Sequence, residues 1–161
     1  SSQEDVFKAT IRENITLGNE RVSLQHFLQI VEQVGLSEFI RNAPDGIDTE
    51  LLPGGKNIPR SIVAKILVAR AIAASPQLLV VEEPQGNLNL RDRLRIAQLL
   101  TDKRQPWTLI TVTSDPLLAA LCDRVVVLKA GSVVFDGSFE EMQATPHYER
   151  IFRVSESAGE I

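Results

Sequence analysis

The sequence predicts an α/β fold, in which short strands alternate with helices. The all-apolar run at residues 78–81 is typical of a strand that is buried on both faces of a parallel sheet, and residues 108–113 form a second candidate. A helix is predicted between them at residues 90–103. A short helix at residues 116–121 then leads to a third predicted strand at residues 124–128. Strands that alternate with helices in this way indicate α/β winding.

The residues before the first strand are predicted to be mainly helical. Apolar side chains recur at helical spacing over residues 23–36, and residues 37–41 add a short second helix. Prolines and glycines interrupt residues 42–57, which predicts a loop. Pro59 suits the first turn of a helix over residues 60–74, because a proline lacks the N–H that would be unpaired there.

The end of the chain is predicted to form a hairpin and a pair of helices. Ala130 and Gly131 separate the apolar residues 125–128 from residues 133–135, which indicates a β-hairpin. The final helices are expected from Phe139 onward.

Composition limits the classes of protein that fit. The chain has 161 residues, 43% of them hydrophobic, which is enough for one domain with a sizeable core. The net charge of −4 comes from scattered acids and bases, so no nucleic-acid partner is expected. Cys122 is the only cysteine, which excludes an internal disulfide and favours a reducing compartment. No apolar run approaches the roughly 20 residues of a membrane span, so any membrane link requires a partner or further chain.

Two carboxylates follow the first predicted strand directly. Glu82 and Glu83 lie at its carboxyl end, where open α/β sheets place their ligand sites. One carboxylate there could hold Mg²⁺, directly or through water, and the other could orient or deprotonate a water that attacks a phosphoryl group. Taken alone, the pair fits equally well with two glutamates that end a strand at the solvent boundary.

The sequence around this pair resembles a known family. "LLVVEEPQGNLN" at residues 78–89 resembles the Walker B strand and D-loop of ATP-binding cassettes (ABC), which usually have four apolar residues, Asp-Glu and a turn that ends in Leu-Asp. Further segments follow the family's order. The Q-loop and the exporter-type segment after it are similar to "SQEDVFKATIRENITLG" (2–18), and the stretch before the signature is similar to "DGIDTELLPGGKN" (45–57). The signature helix is similar to "ILVARAI" (66–72), and the switch strand and C-terminal hairpin are similar to "TLITVTSD" (108–115) and "CDRVVVLKAGSVVFDGSFEEM" (122–142). The chain therefore resembles the nucleotide-binding domain of an exporter-type ABC transporter, from the Q-loop onward.

This resemblance implies an architecture and a set of partners. Residues 1–161 would be the C-terminal part of a P-loop NTPase (RecA-like) ATPase domain with its α-helical subdomain. The helical and signature subdomain would span about 19–75, core strands and helices about 76–138, and C-terminal helices about 139–161. The complete protein would bind ATP and Mg²⁺ and, with an intact site, hydrolyse ATP to drive transport. Its partners would be a transmembrane domain and a second, identical or different, nucleotide-binding domain at the cytoplasmic face of the membrane, whereas the chain itself is expected to be soluble.

The resemblance also implies roles for individual residues. Glu83 matches the general base of the family, and Glu82 stands at the position of the aspartate that holds Mg²⁺. Gln3 matches the glutamine that contacts Mg²⁺ through water and faces the transmembrane domain. Ser114 stands at the switch histidine, and Asn89 stands at the D-loop aspartate.

Several motif positions depart from the family pattern. The signature residues Leu-Ser-Gly-Gly-Gln fall on Ile58, Pro59, Arg60, Ser61 and Ile62. The family binds the phosphate of the opposite subunit there, so Pro59, Arg60 and Ser61 are the candidate nucleotide contacts, and Arg60 is either a phosphate ligand or a solvated arginine. Glu82 is one methylene longer than the usual aspartate, and Mg²⁺ tolerates misplaced ligands poorly. Ser114 cannot carry the charge of a histidine.

The sequence contains no phosphate loop of the form G-x-x-x-x-G-K-[ST]. "GGKN" at residues 54–57 mimics its end, but Glu50 stands where the first glycine is required and Asn57 replaces Ser or Thr. We therefore expect a partial domain that has no cofactor and cannot hydrolyse ATP in isolation. Apolar faces of such a domain would need cover from elsewhere. A degenerate regulatory cassette and a nucleotide-independent interaction domain remain alternatives.

Overall fold

The computed structural model describes residues 5–84 and 86–153. In chain order its helices are α1 (Ile11–Thr16), α2 (Leu24–Gln33), α3 (Ser37–Asn42), α4 (Arg60–Ala73), α5 (Leu90–Thr101), α6 (Pro116–Leu121), α7 (Phe139–Gln143) and α8 (Pro146–Tyr148). Its strands are β1 (Ala9–Thr10), β2 (Glu50–Leu51), β3 (Leu78–Glu82), β4 (Thr108–Val112), β5 (Val125–Lys129) and β6 (Ser132–Gly137). Two 3-10 turns lie at Gly46–Asp48 and Pro53–Gly55, and a π-helical turn at Glu149–Arg153 follows α8. No helix in the described ranges is long and apolar enough to cross a membrane.

The predicted order of helices and strands from residue 23 onward is confirmed, with boundaries that shift by a few residues. The sequence analysis did not identify α1, β1 or β2. A capping box begins α1, because Thr10 Oγ1 accepts from the Glu13 N–H and Glu13 Oε2 accepts from the Thr10 N–H. The predicted loop at residues 42–57 contains β2, which pairs antiparallel with β1.

The main core forms around α4, which packs against α1 and α2. The largest fully buried side chains of this core are Phe27, Ile11, Ile15, Ile30, Leu36, Leu51, Ile66, Ile96 and Leu100. They come from α1, from the predicted helical subdomain and from α5, so a single core joins these parts of the chain. The predicted boundaries near residues 75 and 138 remain a prediction.

The segment that precedes β1 is tied to α4 by Arg70. The Arg70 guanidinium donates to the Asn14 carbonyl at 2.7 Å, to Asn14 Oδ1 at 2.9 Å and to the Asp5 carbonyl at 3.2 Å. Its Cζ also lies 5.3 Å from the centroid of the Phe7 ring. Asn14 is fully buried and exchanges hydrogen bonds with the backbone of Phe7. Residues 5–14 are therefore fixed to the helix that begins at the predicted signature positions.

β3 and β4 form a parallel pair joined by α5. Their register runs from Leu78 opposite Thr108 to Glu82 opposite Val112. The strand-helix-strand unit confirms the predicted α/β winding, and it places the carboxyl ends of both strands at one edge of the sheet.

The prediction that residues 78–81 are buried on both faces is wrong for the described chain. Leu79 is 3% exposed and packs into the main core, whereas Leu78 is 56% and Val80 is 63% exposed. Ile110 and Val112 are likewise exposed on β4. Because side chains alternate along a strand, one face of the pair lies on the core and the other is open. An apolar run predicts a strand, but it does not show what covers each face. Apolar side chains therefore lie uncovered on one face of this sheet.

The strand predicted at residues 124–128 belongs to a separate sheet in the described residues. β5 does not extend the β3–β4 pair; it pairs antiparallel with β6 as the predicted hairpin, from Val125 opposite Gly137 to Lys129 opposite Ser132. Val127 and Met142 are buried in a second, smaller core. Phe139, Tyr148 and Phe152 pack in the same core, with ring centroids 5.3–5.9 Å apart.

Candidate functional site at the ends of β3 and β4

The carboxylate pair lies where β3 ends and the chain turns away. Glu82 is the last residue of β3 and is exposed. The Glu83 N–H donates to the Val112 carbonyl at 2.8 Å, which extends the pairing with β4 by one residue. Glu83 has a φ of 41°, in the left-handed region that non-glycine residues adopt at a cost of about 1–2 kcal/mol. Backbone strain of this kind is concentrated at functional sites.

The Glu83 side chain contacts Ser114, the predicted switch position. The Ser114 N–H donates to Glu83 Oε1 at 2.6 Å, and Thr113 Oγ1 donates to Glu83 Oε2 at 3.4 Å. Hydrogen bonds to a charged oxygen are shorter and stronger than neutral ones. The fold therefore brings together two site residues predicted from the sequence, Glu83 and Ser114, and fixes the carboxylate toward the end of β4.

Asp115 and Arg93 support this arrangement, and the sequence analysis did not identify either of them. Asp115 is buried, and its Oδ2 accepts from Arg93 Nε at 2.8 Å. This hydrogen bond raises the pKa of Arg93 above its ordinary value. Asp115 Oδ1 also accepts from the Leu117 N–H and so caps α6. The pattern of Asp115 before Pro116 was an available signal, because an aspartate followed by proline marks a helix start. Arg93 had no comparable signal.

Asn89 caps the helix that follows the predicted D-loop. Its Oδ1 accepts from the Asp92 N–H at 2.9 Å, and its Nδ2 donates to Asp92 Oδ2 at 3.3 Å. The side chain therefore has a structural task at the start of α5. Its predicted contact with nucleotide remains a prediction.

The predicted signature positions lie at the start of α4 and directly before it. Pro59 precedes the helix and has no side-chain cap, while Arg60 is exposed and Ser61 is half-buried. Arg60 Nη1 donates to the Gly54 carbonyl at 3.3 Å, so the guanidinium points back to the preceding loop. Ile62 is buried in the main core. Within residues 5–84 and 86–153, no hydrogen bond joins these residues to Glu83. Gln3, the remaining predicted contact, lies outside the described residues.

The described residues include no group of three or more His, Cys, Asp or Glu side chains that could hold a metal ion. A protein site for Mg²⁺ in nucleotide enzymes commonly supplies only one or two carboxylates, and phosphates and waters complete the octahedron. The chemistry of exposed Glu82, at the end of β3, fits one such ligand.

Comparison with known proteins places these features in a family. No protein-family model matches the chain. An uncharacterized ABC transporter ATP-binding protein, YfiC of Bacillus subtilis, is 30% identical over 137 residues, which cover 85% of this chain and 23% of that protein. An uncharacterized ABC transporter ATP-binding protein of Haemophilus influenzae is 26% identical over 157 residues, which cover 97% of this chain and 28% of that protein. The chain is a homologue of ABC transporter ATP-binding proteins.

A solved structure supports the same fold for this ABC homologue. A bacterial Atm1-family ABC exporter with ATP bound superposes with a TM-score of 0.83 at 22% identity, over 98% of this chain and 28% of that chain. The match confirms the α/β class. The chain spans less than a third of the length of these two relatives. The resemblance of "LLVVEEPQGNLN" and the other segments to ABC proteins is thus confirmed.

Proposed function

We propose that this chain is the C-terminal part of the nucleotide-binding domain of an ABC transporter, and that Glu83 is the general base for ATP hydrolysis in the complete protein. The observation that carries the proposal is the contact between Glu83 and Ser114 at the ends of adjacent parallel strands. Ligands of open α/β sheets bind at the carboxyl ends of strands, and a carboxylate held there is placed to accept a proton from water.

The Mg²⁺ of the complete protein would be held by Glu82, with Gln3 acting through water. The ion, when bound, would neutralise charge on the phosphates. Because Glu82 is exposed, it has room to adjust, but its extra methylene makes the carboxylate less rigidly placed than an aspartate. We therefore infer a weaker magnesium site than the family pattern provides.

The phosphates of ATP do not fit the residues of this chain alone. Pro59 lacks a backbone N–H, and the Arg60 guanidinium contacts the Gly54 carbonyl. The "GGKN" segment at residues 54–57, which resembles the end of a phosphate loop, begins in a 3-10 turn. The Asn57 side chain accepts from the Leu52 N–H and donates to the Glu50 carbonyl. We infer that the phosphate contacts come mainly from other parts of the complete protein, and that the isolated chain does not hydrolyse ATP.

The partners proposed for the complete protein are a transmembrane domain and a second nucleotide-binding domain, at the cytoplasmic face of a membrane. The resemblance to exporter-type cassettes and the names of the homologues support this assignment. The start of α4, where Pro59, Arg60 and Ser61 lie, is the surface proposed to face the second nucleotide-binding domain.

Calorimetric titration with ATP and Mg²⁺ tests whether the phosphate contacts come from parts of the complete protein outside this chain. The complete protein is expected to bind the nucleotide, and the 161-residue chain is expected to show no binding at micromolar concentrations. Micromolar binding by the chain alone would overturn the inference that its phosphate contacts lie elsewhere. Failure of the complete protein to bind would instead favour a nucleotide-independent interaction domain, for which the open apolar face of β3 and β4 is the supporting observation.

A degenerate regulatory cassette is the second candidate. Asn89 and Ser114 replace the residues that the family uses near nucleotide, and Asn89 is occupied as a helix cap. Nucleotide binding by the complete protein without turnover would support this candidate over the first.

A further inference from the structure

Two consecutive residues of α5 form ion pairs with two different parts of the fold. Asp92 Oδ2 lies 2.8 Å from Lys65 Nζ of α4, and Arg93 Nε lies 2.8 Å from Asp115 Oδ2, next to the switch position. Neighbouring residues on a helix point in different directions, which allows α5 to contact both elements from adjacent positions.

The pair on the α4 side is well shielded from water. The Lys65 and Asp92 side chains are 9% and 15% exposed, and Lys65 Nζ also donates to the Gly35 carbonyl at 3.2 Å. A lysine is rarely this buried unless it is paired. Removal of one member of a buried ion pair leaves the other charge uncompensated, so the two side chains constrain each other strongly. Lys65 follows the signature positions by one turn of α4.

The pair on the other side leads to Glu83. Asp115 receives the Arg93 hydrogen bond, and its own N–H donates to Thr113 Oγ1 at 3.0 Å. Thr113 and Ser114 in turn bind the Glu83 carboxylate. Contacts thus run without interruption from Lys65 through α5 to Glu83.

We propose that Asp92 and Arg93 are positioning residues that couple the start of α4 to the Glu83–Ser114 contact. The role of this coupling in catalysis rests on the proposed function, because the coupling links the predicted signature positions to the proposed general base. The coupling itself is a property of this chain and requires no nucleotide. Residues in one hydrogen-bond and ion-pair network commonly show interaction energies that distant residues lack.

The test is an NMR comparison of substitutions at Lys65 in the 161-residue chain. Lys65→Met removes the charge that pairs with Asp92, and we expect the Ser114 amide proton resonance to move upfield as its hydrogen bond to Glu83 weakens. We also expect amide exchange at Ser114 to become roughly two- to tenfold faster, the equivalent of a coupling of about 0.4–1.4 kcal/mol. Lys65→Arg retains the ion pair, so the Ser114 resonance and exchange rate are expected to stay close to those of the unsubstituted chain.

Lys103→Met is the matched control. Lys103 pairs with Asp123 at 2.7 Å, but both side chains are more than three-quarters exposed, at 79% and 78%. The same substitution there is expected to leave the Ser114 resonance and exchange rate unchanged. Equal shifts in Lys65→Met and Lys103→Met, or none in Lys65→Met, would overturn the proposal.

Asp115→Asn provides a test from the opposite end if Lys65→Met does not fold. Asparagine still caps α6 but lacks the charge that pairs with Arg93. We expect this variant to shift the Gly35 and Lys65 amide resonances, and unchanged resonances would also overturn the proposal. Neither readout uses ATP, so failure here leaves the proposed function intact, and failure of the proposed function leaves the coupling intact.

Discussion

The Ser114 N–H donates a 2.6 Å hydrogen bond to Glu83 Oε1, across a separation of 31 residues in the sequence. The contact requires β3 and β4 to be adjacent and parallel, and it requires Glu83 to turn out of β3 with a φ of 41°. The carboxylate is thereby directed to the end of β4 where Ser114 lies.

The positive φ of Glu83 reverses the usual ranking of alanine and glycine. Both Glu83→Ala and Glu83→Gly lose the carboxylate, but only glycine adopts a left-handed conformation without steric cost. We expect Glu83→Gly to have a free energy of unfolding about 1 kcal/mol higher than that of Glu83→Ala, measured by denaturant unfolding. At the exposed Gln98 inside α5 the order should be opposite, with alanine about 1 kcal/mol more stable than glycine. An alanine preference at both sites would refute the left-handed conformation of Glu83.

Gly55 is constrained by its conformation and by its neighbours. It has a φ of 65°, and a Cβ added there would lie 2.4 Å from Val63 Cγ2. Gly131 has a φ of 78°, but an added Cβ would meet no atom within 4 Å. We expect Gly131→Ala to cost about 1–2 kcal/mol from conformation alone and Gly55→Ala to cost about 1–3 kcal/mol more from overpacking. Similar denaturation midpoints for the two variants would contradict the close approach of Gly55 to α4.

The two faces of β3 are expected to respond differently to substitution. Leu79→Ala creates a cavity in the main core and should lower the free energy of unfolding by about 2–5 kcal/mol. Val80→Thr retains a β-branched side chain on the open face and should change the free energy of unfolding by less than about 0.5 kcal/mol. Denaturant unfolding of both variants in the 161-residue chain distinguishes the faces. A large loss from Val80→Thr would show that this face is covered.

The capping box of α1 predicts a pH-dependent contribution to stability. The backbone and side-chain hydrogen bonds with Thr10 lower the pKa of Glu13 from its ordinary value of 4.5. Because the folded-state pKa is lowered, the contribution is complete above the unfolded-state pKa and disappears as the pH falls through the folded-state pKa. Unfolding measured across this acidic range should show a smaller fall in stability for Glu13→Gln than for the unsubstituted chain. If the stability of Glu13→Gln and of the unsubstituted chain had the same pH dependence, the capping box would not contribute to stability in this way.

The sequence predicted much of the fold because its helix and strand signals are local. Pro59 marked the start of α4, and the apolar run before Glu82 marked β3. The capping box of Thr10 and Glu13 was present in the sequence, but the six residues of α1 are too few to show helical periodicity. The exposure of Val80 could not be predicted, because it depends on which elements pack against the sheet.

The candidate site was predictable in residue type but not in geometry. Glu83 and Ser114 were identified by their positions in motifs, whereas the hydrogen bond between them depends on strand register and on the turn after β3. The pairs Arg93–Asp115 and Lys65–Asp92 join residues 22 or more positions apart, and no local pattern encodes them. Long-range ion pairs follow from packing, so they became visible only in the structure.

ATP turnover by the complete protein carrying Glu83→Gln tests the proposed general base most directly. Glutamine keeps the size of the side chain but cannot accept the proton, and loss of a general base typically lowers turnover about 10²–10⁴-fold. Glu140→Gln, an exposed change on α7, is the control and should leave turnover unchanged. We expect turnover to collapse in Glu83→Gln while ATP binding is retained. Turnover equal to that of the unsubstituted protein, or no turnover in either, would contradict the assignment of Glu83.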